Sequence, residues 1–230
     1  MTNVKHTSLN GGSVLLLQNV EQYVENLIPK RTELVEEMEN YAKEHVVPIM
    51  ELIGIEALLQ ILRLHQPAHI LEIGTAIGYS AIRMAEALPN AKIVTVERNE
   101  DRYKQAQFFI NRAEKKEQIK TLFGDALELQ ADIEQNGPYD AVFIDAAKGQ
   151  YQRFFEHYAP LVNKKGIIIS DNILFKGHVG TDLSQIETRR KRSLIKKIDA
   201  YNVWLMKHPD FQTTILPIGD GIAISIKRGD

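Results

Sequence analysis

From Pro67 onward the chain repeats one alternation: a short, nearly continuous apolar run, then a stretch with helical spacing. The runs are 69–73, 92–97, 119–123, 141–145 and 166–170, and amphipathic segments at 80–88, 100–113 and 151–161 lie between them. A strand with one wet face alternates apolar and polar residues. A strand that is apolar throughout is buried on both faces, which calls for parallel strands covered by helices on each side. A helical pattern at 187–207 follows, then runs at 211–217 and 222–227 joined by Gly219-Asp220-Gly221. That turn makes a hairpin, so the last strand is expected antiparallel to the rest. Ahead of the alternation, 14–64 reads as several helices punctuated by Pro29, Pro48 and Gly54. The expectation is one α/β domain over 1–230. It has N-terminal helices at 14–64, a doubly wound sheet from 67 on, a C-terminal antiparallel hairpin, and a loose segment at 1–13.

Bulk properties remove several classes of function. A formal net charge of −2 gives no global field for nucleic acid or an anionic membrane, so any such attraction needs a local patch. The absence of cysteine removes disulfides, thiolate metal sites and thiol nucleophiles, and it suits a reducing compartment. The run Val14-Leu15-Leu16-Leu17 is too short for a signal peptide core, and no stretch approaches the roughly 18 apolar residues of a membrane span. A cytoplasmic protein with no membrane partner is expected.

Ligands of open α/β sheets sit beyond the carboxyl ends of the strands, so the residues just past each run matter most. After the first comes Glu72-Ile73-Gly74-Thr75-Ala76-Ile77-Gly78-Tyr79-Ser80. Its G-x-x-x-G spacing is neither a dinucleotide fingerprint nor a phosphate loop, and a tight turn demanded by packing would explain it equally well. The second run ends at Glu97, an acid able to accept from both hydroxyls of a ribose. Gly124-Asp125-Ala126 follows the third; Asp125 could take an adenine amino group, or cap the next turn, or both. Together these fit an adenosyl group without phosphates. A nicotinamide dehydrogenase is disfavoured by the glycine spacing, although Glu97 alone would suit one.

The fourth run ends at Asp145 and the fifth at Asp171-Asn172. Neighbouring parallel strands would bring these oxygens to one rim as a hard, open site suited to Mg²⁺, or the acids could simply be caps. Lys148, three residues past Asp145, could act as a base beside a dication, though a lysine is by default solvated.

The segments Glu72 to Ser80, Glu97, Gly124-Asp125-Ala126, Phe143-Ile144-Asp145-Ala146-Ala147-Lys148 and Ser170-Asp171-Asn172 resemble the catechol and caffeoyl-CoA O-methyltransferase family, over about 45–228. The resemblance implies the class I methyltransferase sheet with S-adenosylmethionine and Mg²⁺ as cofactors. It implies metal ligands at Asp145, Asp171 and Asn172, and catalysis by Lys148 as base with Asp145. It also implies cofactor contacts at Met50, Glu72, Gly74, Ser80, Glu97, Asp125, Ala126 and Asp145, and a homodimer. Met50 would otherwise read as an ordinary core methionine.

Three stretches are similar to the bacterial tRNA 5-hydroxyuridine methyltransferases: Gly74 to Arg83, Ala146 to Tyr151 and Asp171 to Gly177. So is Asn202-Val203-Trp204-Leu205-Met206-Lys207-His208-Pro209. That likeness implies methylation of a wobble uridine in the anticodon loop to 5-methoxyuridine. Arg189, Arg190, Lys191, Arg192, Lys196 and Lys197 crowd the start of the helix at 187–207. Cations there oppose the helix dipole, so phosphate contact is one reading and a solvated basic face over the apolar stripe Leu194, Ile198, Tyr201, Leu205 is the other. Two competing functions remain: an O-methyltransferase for a small catechol-like phenol, and a non-catalytic adenosyl-binding module.

Overall fold

The structure, a computed structural model, describes residues 11–229, with side chains from residue 19 onward. The described residues fall into two units, 11–31 and 32–229. The first unit contains helix α1 (Gly11–Leu27), which ends just ahead of Pro29, a residue that cannot continue a helix. It begins at Gly11, so the end of the segment expected to be loose is helical; residues 1–10 lie outside the described residues.

The second unit opens with α2 (Glu33–Glu44), capped by Thr32, whose hydroxyl accepts the Val35 amide at 3.4 Å. Next come α3 (Leu52–His65), β1 (His69–Ile73), α4 (Tyr79–Ala87), β2 (Lys92–Glu97), α5 (Glu100–Arg112) and β3 (Ile119–Phe123). A short helix the periodicity did not reveal, α6 (Gln130–Glu134), precedes β4 (Tyr139–Ile144), α7 (Tyr151–Tyr158) and β5 (Val162–Ser170). The helix expected over 151–161 stops at Tyr158 and finishes as a 3-10 turn at 159–161, because Pro160 has no amide to extend it. The chain closes with α8 (Arg189–Met206), β6 (Phe211–Leu216) and β7 (Ile222–Lys227).

All seven strands form one sheet in the order β3-β2-β1-β4-β5-β7-β6. The first five pair in parallel, and β7 inserts antiparallel between β5 and β6, as the hairpin turn required. Winding reverses between β1 and β4, which opens a crevice at their carboxyl ends. Both faces of the sheet are covered. Ile70, Ile93, Phe143 and Ile169 point to a core with α2 to α5, while Leu71, Val94, Val142 and Ile168 point to a core with α7 and α8. The runs of β1, β2, β4 and β5 are therefore central strands with a dry layer on each side, whereas β3 is an edge strand whose residues past Ile119 are half-buried or exposed.

Candidate active site

A cavity of about 570 Å³ lies at the crevice, walled by residues that follow β1, β2, β3 and β4 and by α7. Its floor begins at Gly74. The loop leaving β1 is held by amides of Gly74 and Thr75 donating to the Val96 carbonyl at 3.0 and 3.2 Å. Gly74 has φ +107, and a Cβ there would sit 2.8 Å from the carbonyl carbon of Asp145 and closer still to its oxygen. Only glycine lets this loop pass so near the end of β4. Beneath the loop, the fully buried Glu72 carboxylate accepts from the hydroxyls of Ser80 and Thr95. Burial pushes its pKa from 4.5 to about 7, the two hydroxyls pull it back down, and the charges of Asp145 and Glu97 add to the rise.

Glu97 lines the cavity from the end of β2. Its two oxygens accept the amides of Ala76 at 2.9 Å and Asn99 at 2.8 Å, which fixes the carboxylate while leaving each oxygen a free lone pair. Asp125 and Ala126 also line it, after β3. Asp125 does cap its own turn, accepting from the Leu127 amide at 3.0 Å, and its other oxygen lies 3.7 Å from Arg98. The Tyr158 hydroxyl donates to the Ala126 carbonyl and ties that wall to α7.

Asp145 and Asn172 meet at the far end of the cavity, and Asp171 stands beside them, because β4 and β5 are paired neighbours. Asp145 is just past β4 rather than its last residue. Burial raises the pKa of both carboxylates, Asp171 to about 7, and the negative charge of Asp145 adds to the rise at Asp171. Asn172, at φ +56, donates to Asp171 at 2.8 Å and accepts from the Lys148 ammonium. Burial lowers the Lys148 pKa against the pull of the acids around it. Two buried carboxylates beside an amide oxygen are a hard-oxygen set whose negative charge the Lys148 ammonium offsets only in part, since both pKa values stay raised. That chemistry fits Mg²⁺. Among the described residues no cluster of three His, Cys, Asp or Glu is arranged to hold a metal, so the amide of Asn172 would have to serve as third protein donor.

Of the expected site residues, Met50, Glu72, Ser80 and Asp171 are not among those lining the cavity, and Arg192 is engaged with backbone. Met50 is buried in the core with its methyl 3.4 Å from the Cβ position of Gly54, and Pro48 rather than Met50 meets the cavity. The guanidinium of Arg192 is committed to the carbonyls of Ile186 and Glu187, so it shapes the approach to α8. Arg189 and Arg190 are exposed in a first turn that holds no acid, Lys191 is half-buried and Lys196 is exposed. Lys197 reaches the active-site loop, its ammonium 3.8 Å from the Cβ position of Gly149. Sequence reading missed Arg98, Arg102, Gln150, Arg153 and Phe154 in the cavity wall, and Thr95 beneath it. Thr95 was findable, since parallel registry sets it against Glu72.

The family model for O-methyltransferases matches residues 25–228. The chain belongs to that O-methyltransferase family. Caffeoyl-CoA O-methyltransferase 1 of Arabidopsis thaliana is 29% identical over 231 residues, covering 96% of this chain and 89% of that protein. The crystal structure of a candidate caffeoyl-CoA O-methyltransferase from Staphylococcus aureus superposes with a TM-score of 0.82 at 35% identity, covering 94% of this chain and 99% of that one. An O-methyltransferase from Bacillus cereus in complex with SAH has a TM-score of 0.76 at 25% identity, with 91% and 97% covered. This chain is thus an S-adenosylmethionine-dependent O-methyltransferase of the caffeoyl-CoA and catechol type, on the class I fold. No helix among the described residues is long and apolar enough to cross a membrane.

Proposed function

We propose that the enzyme uses Mg²⁺ to methylate a hydroxyl flanked by a second oxygen, and that its acceptor is 5-hydroxyuridine at the wobble position of tRNA. Asp145, Asp171 and Asn172 would hold the metal, which when bound supplies the positive charge that lowers the pKa of an acceptor hydroxyl. Glu97 and Asp125 would hold the ribose and adenine of the cofactor, and Glu72 with Ser80 its methionine end. The acceptor oxygen attacks the methyl carbon as the carbon–sulfur bond breaks, and sulfur keeps that electron pair, leaving S-adenosylhomocysteine. Lys148, its pKa lowered by burial, takes the hydroxyl proton. Holding the two reactants in line supplies much of the rate.

The observation that favours RNA is the cationic run from the first turn of α8 down to Lys197 at the active-site loop. Arg192 serves the fold, but Arg189, Arg190 and Lys191 crowd a turn without an acid, where cations weaken a helix, so phosphate binding explains these three better than folding does. In 5-hydroxyuridine the hydroxyl lies beside the C4 carbonyl, a vicinal oxygen pair like that of a catechol. A small phenol is the second reading, favoured by the caffeoyl-CoA relative and by Pro48 and Phe154 in the cavity wall. The deciding experiment supplies methyl-labelled S-adenosylmethionine with 5-hydroxyuridine-containing tRNA or with a catechol, each with Mg²⁺ or EDTA. Label on tRNA that EDTA abolishes supports the proposal. Label on the catechol alone selects the second reading, and transfer to neither refutes both.

A further inference from the structure

The loop after β5 carries Asp171 and Asn172, yet its backbone is one that side chains rarely adopt. Asn172, Phe175 and Lys176 have φ of +56, +47 and +54, and Gly177 follows at +73. Such a run persists only when its surroundings over-determine it. The β6–β7 turn supplies most of that determination. The amide of Ile173 donates to the Gly221 carbonyl at 3.1 Å, that of Leu174 to the Asp220 carbonyl at 2.9 Å, and that of Lys176 to the Asp220 carboxylate at 2.8 Å. Gly221 makes the approach possible, since a Cβ there would overlap the side chain of Leu174. Behind the loop, Asn202 of α8 donates to the Ile173 carbonyl at 2.8 Å.

We infer that Asp220 is a positioning residue: its carboxylate, tied to the Lys176 amide, holds the loop in the one conformation that aims Asp171 and Asn172 at the reaction centre. The charge of Asp220 also falls on that centre, since it is felt at Asp145, Asp171 and Lys148. Yet the three acids do not form a metal-ligating cluster. Asp220 therefore acts through the loop and through its field, without touching the reacting atoms. Nothing in its own segment advertises this, because Gly219-Asp220-Gly221 is a complete hairpin turn with or without a task.

The inference rests on Asp171 and Asn172 being metal ligands, so the test separates the two ideas. Wild type, Asp220→Ala and Asp220→Asn are compared by hydrogen exchange over 172–177, by calorimetric titration of Mg²⁺, and by affinity for S-adenosylmethionine. Asp220→Ala should speed exchange of the loop at least 10-fold and weaken Mg²⁺ at least 10-fold, with cofactor affinity changed less than about 2-fold, an effect on one loop alone. Asparagine keeps an oxygen for the Lys176 amide, so Asp220→Asn should return exchange to within about 3-fold of wild type. Unchanged exchange in Asp220→Ala overturns the inference, and so does exchange in Asp220→Asn as fast as in Asp220→Ala. A cofactor affinity that falls in parallel also overturns it, since it marks a general loss of structure. Failure of wild type to bind Mg²⁺ refutes the metal reading, while the exchange comparison still decides whether Asp220 is the strut.

Discussion

Glu72 should make the cofactor-free enzyme lose stability as pH rises, and Glu72→Gln should remove that loss. The carboxyl is fully buried, and burial lifts its pKa from 4.5 to about 7. A raised acid pKa means that the folded protein holds the proton more tightly than the unfolded chain. Folding therefore takes up a proton between pH 4.5 and 7, and stability falls as pH rises through that window. At about 1.4 kcal/mol per pH unit, a rise from 4.5 to about 7 destabilises the protein well above pH 7 by about 3.5 kcal/mol. About 2.5 kcal/mol of it appears between pH 5 and pH 8. Glutamine cannot ionise. Its one carbonyl can still accept from Ser80 or Thr95, so the lost bond costs about 1 kcal/mol at every pH.

Urea unfolding of both cofactor-free proteins at pH 5 and pH 8 reads the effect, because groups that do not interact with Glu72 cancel in the difference, leaving Glu72 together with its coupling to Asp145 and Glu97. Glu72→Gln should gain about 2 to 3 kcal/mol on wild type between the two pH values. A difference that stays constant within about 0.5 kcal/mol would refute the reasoning. A carboxylate that costs this much in the empty protein is expected to return it to a bound ammonium group, so the same variant should bind S-adenosylmethionine more weakly at pH 8 while being the more stable protein.

Gly74→Ala places a Cβ against the Asp145 carbonyl at a φ of +107; urea unfolding should show a loss of about 3 kcal/mol or more, with cofactor binding abolished. Tyr158→Phe leaves the Ala126 carbonyl without its donor inside the protein, so stability should fall by about 1–3 kcal/mol and adenosine affinity with it, measured by urea unfolding and calorimetry. Arg83 is buried and pairs with Glu56 while donating to the Tyr79 hydroxyl at 3.1 Å. Arg83→Ala strands these groups, none of which lines the cavity, and should cost about 3 kcal/mol without changing the KM for the cofactor. Replacing Arg189, Arg190, Lys196 and Lys197 by alanine should weaken tRNA binding and flatten its dependence on log salt by roughly 0.7 for each phosphate no longer neutralised; an unchanged slope would argue for a solvated face.

The strands and the acids at their ends were legible for one physical reason. A central parallel strand must be apolar on both sides, so the first polar residue after the run marks the place where the chain emerges at the rim. Glu97 follows this rule directly, and Asp145 and Asp171 sit one residue past β4 and β5. Asp125 shows the same logic with a second duty, because its turn needs a cap whether or not a ligand is present. The residues that escaped reading belong to elements whose direction the pattern does not encode. Arg98, Arg102 and Arg153 are polar residues on or beside helices, where periodicity identifies the buried face and says nothing about which exposed side chains lean over a crevice. Arg192 reads as one more cation in a basic run, and only the path of the 183–188 segment turns its guanidinium back onto backbone carbonyls.

Asp220 lies furthest from sequence alone, and the reason is topological. A hairpin fixes the pairing of β6 with β7 through its own turn, so nothing local specifies which of the two strands lies against β5. Had β6 taken that place, the β6 side of the turn would have faced the loop, and Gly221, on the β7 side, would have stood about one strand spacing, roughly 4.8 Å, further from it. Insertion of β7 between β5 and β6 brings Gly221 and Asp220 directly onto the loop that carries Asp171 and Asn172. The antiparallel sense then sets the turn at the carboxyl end of β5, where Ser170 pairs with Ala223. Strand order therefore decides whether a turn acid is ornament or support, and a chain in this fold with β6 beside β5 would need a different strut for the loop that carries Asp171 and Asn172.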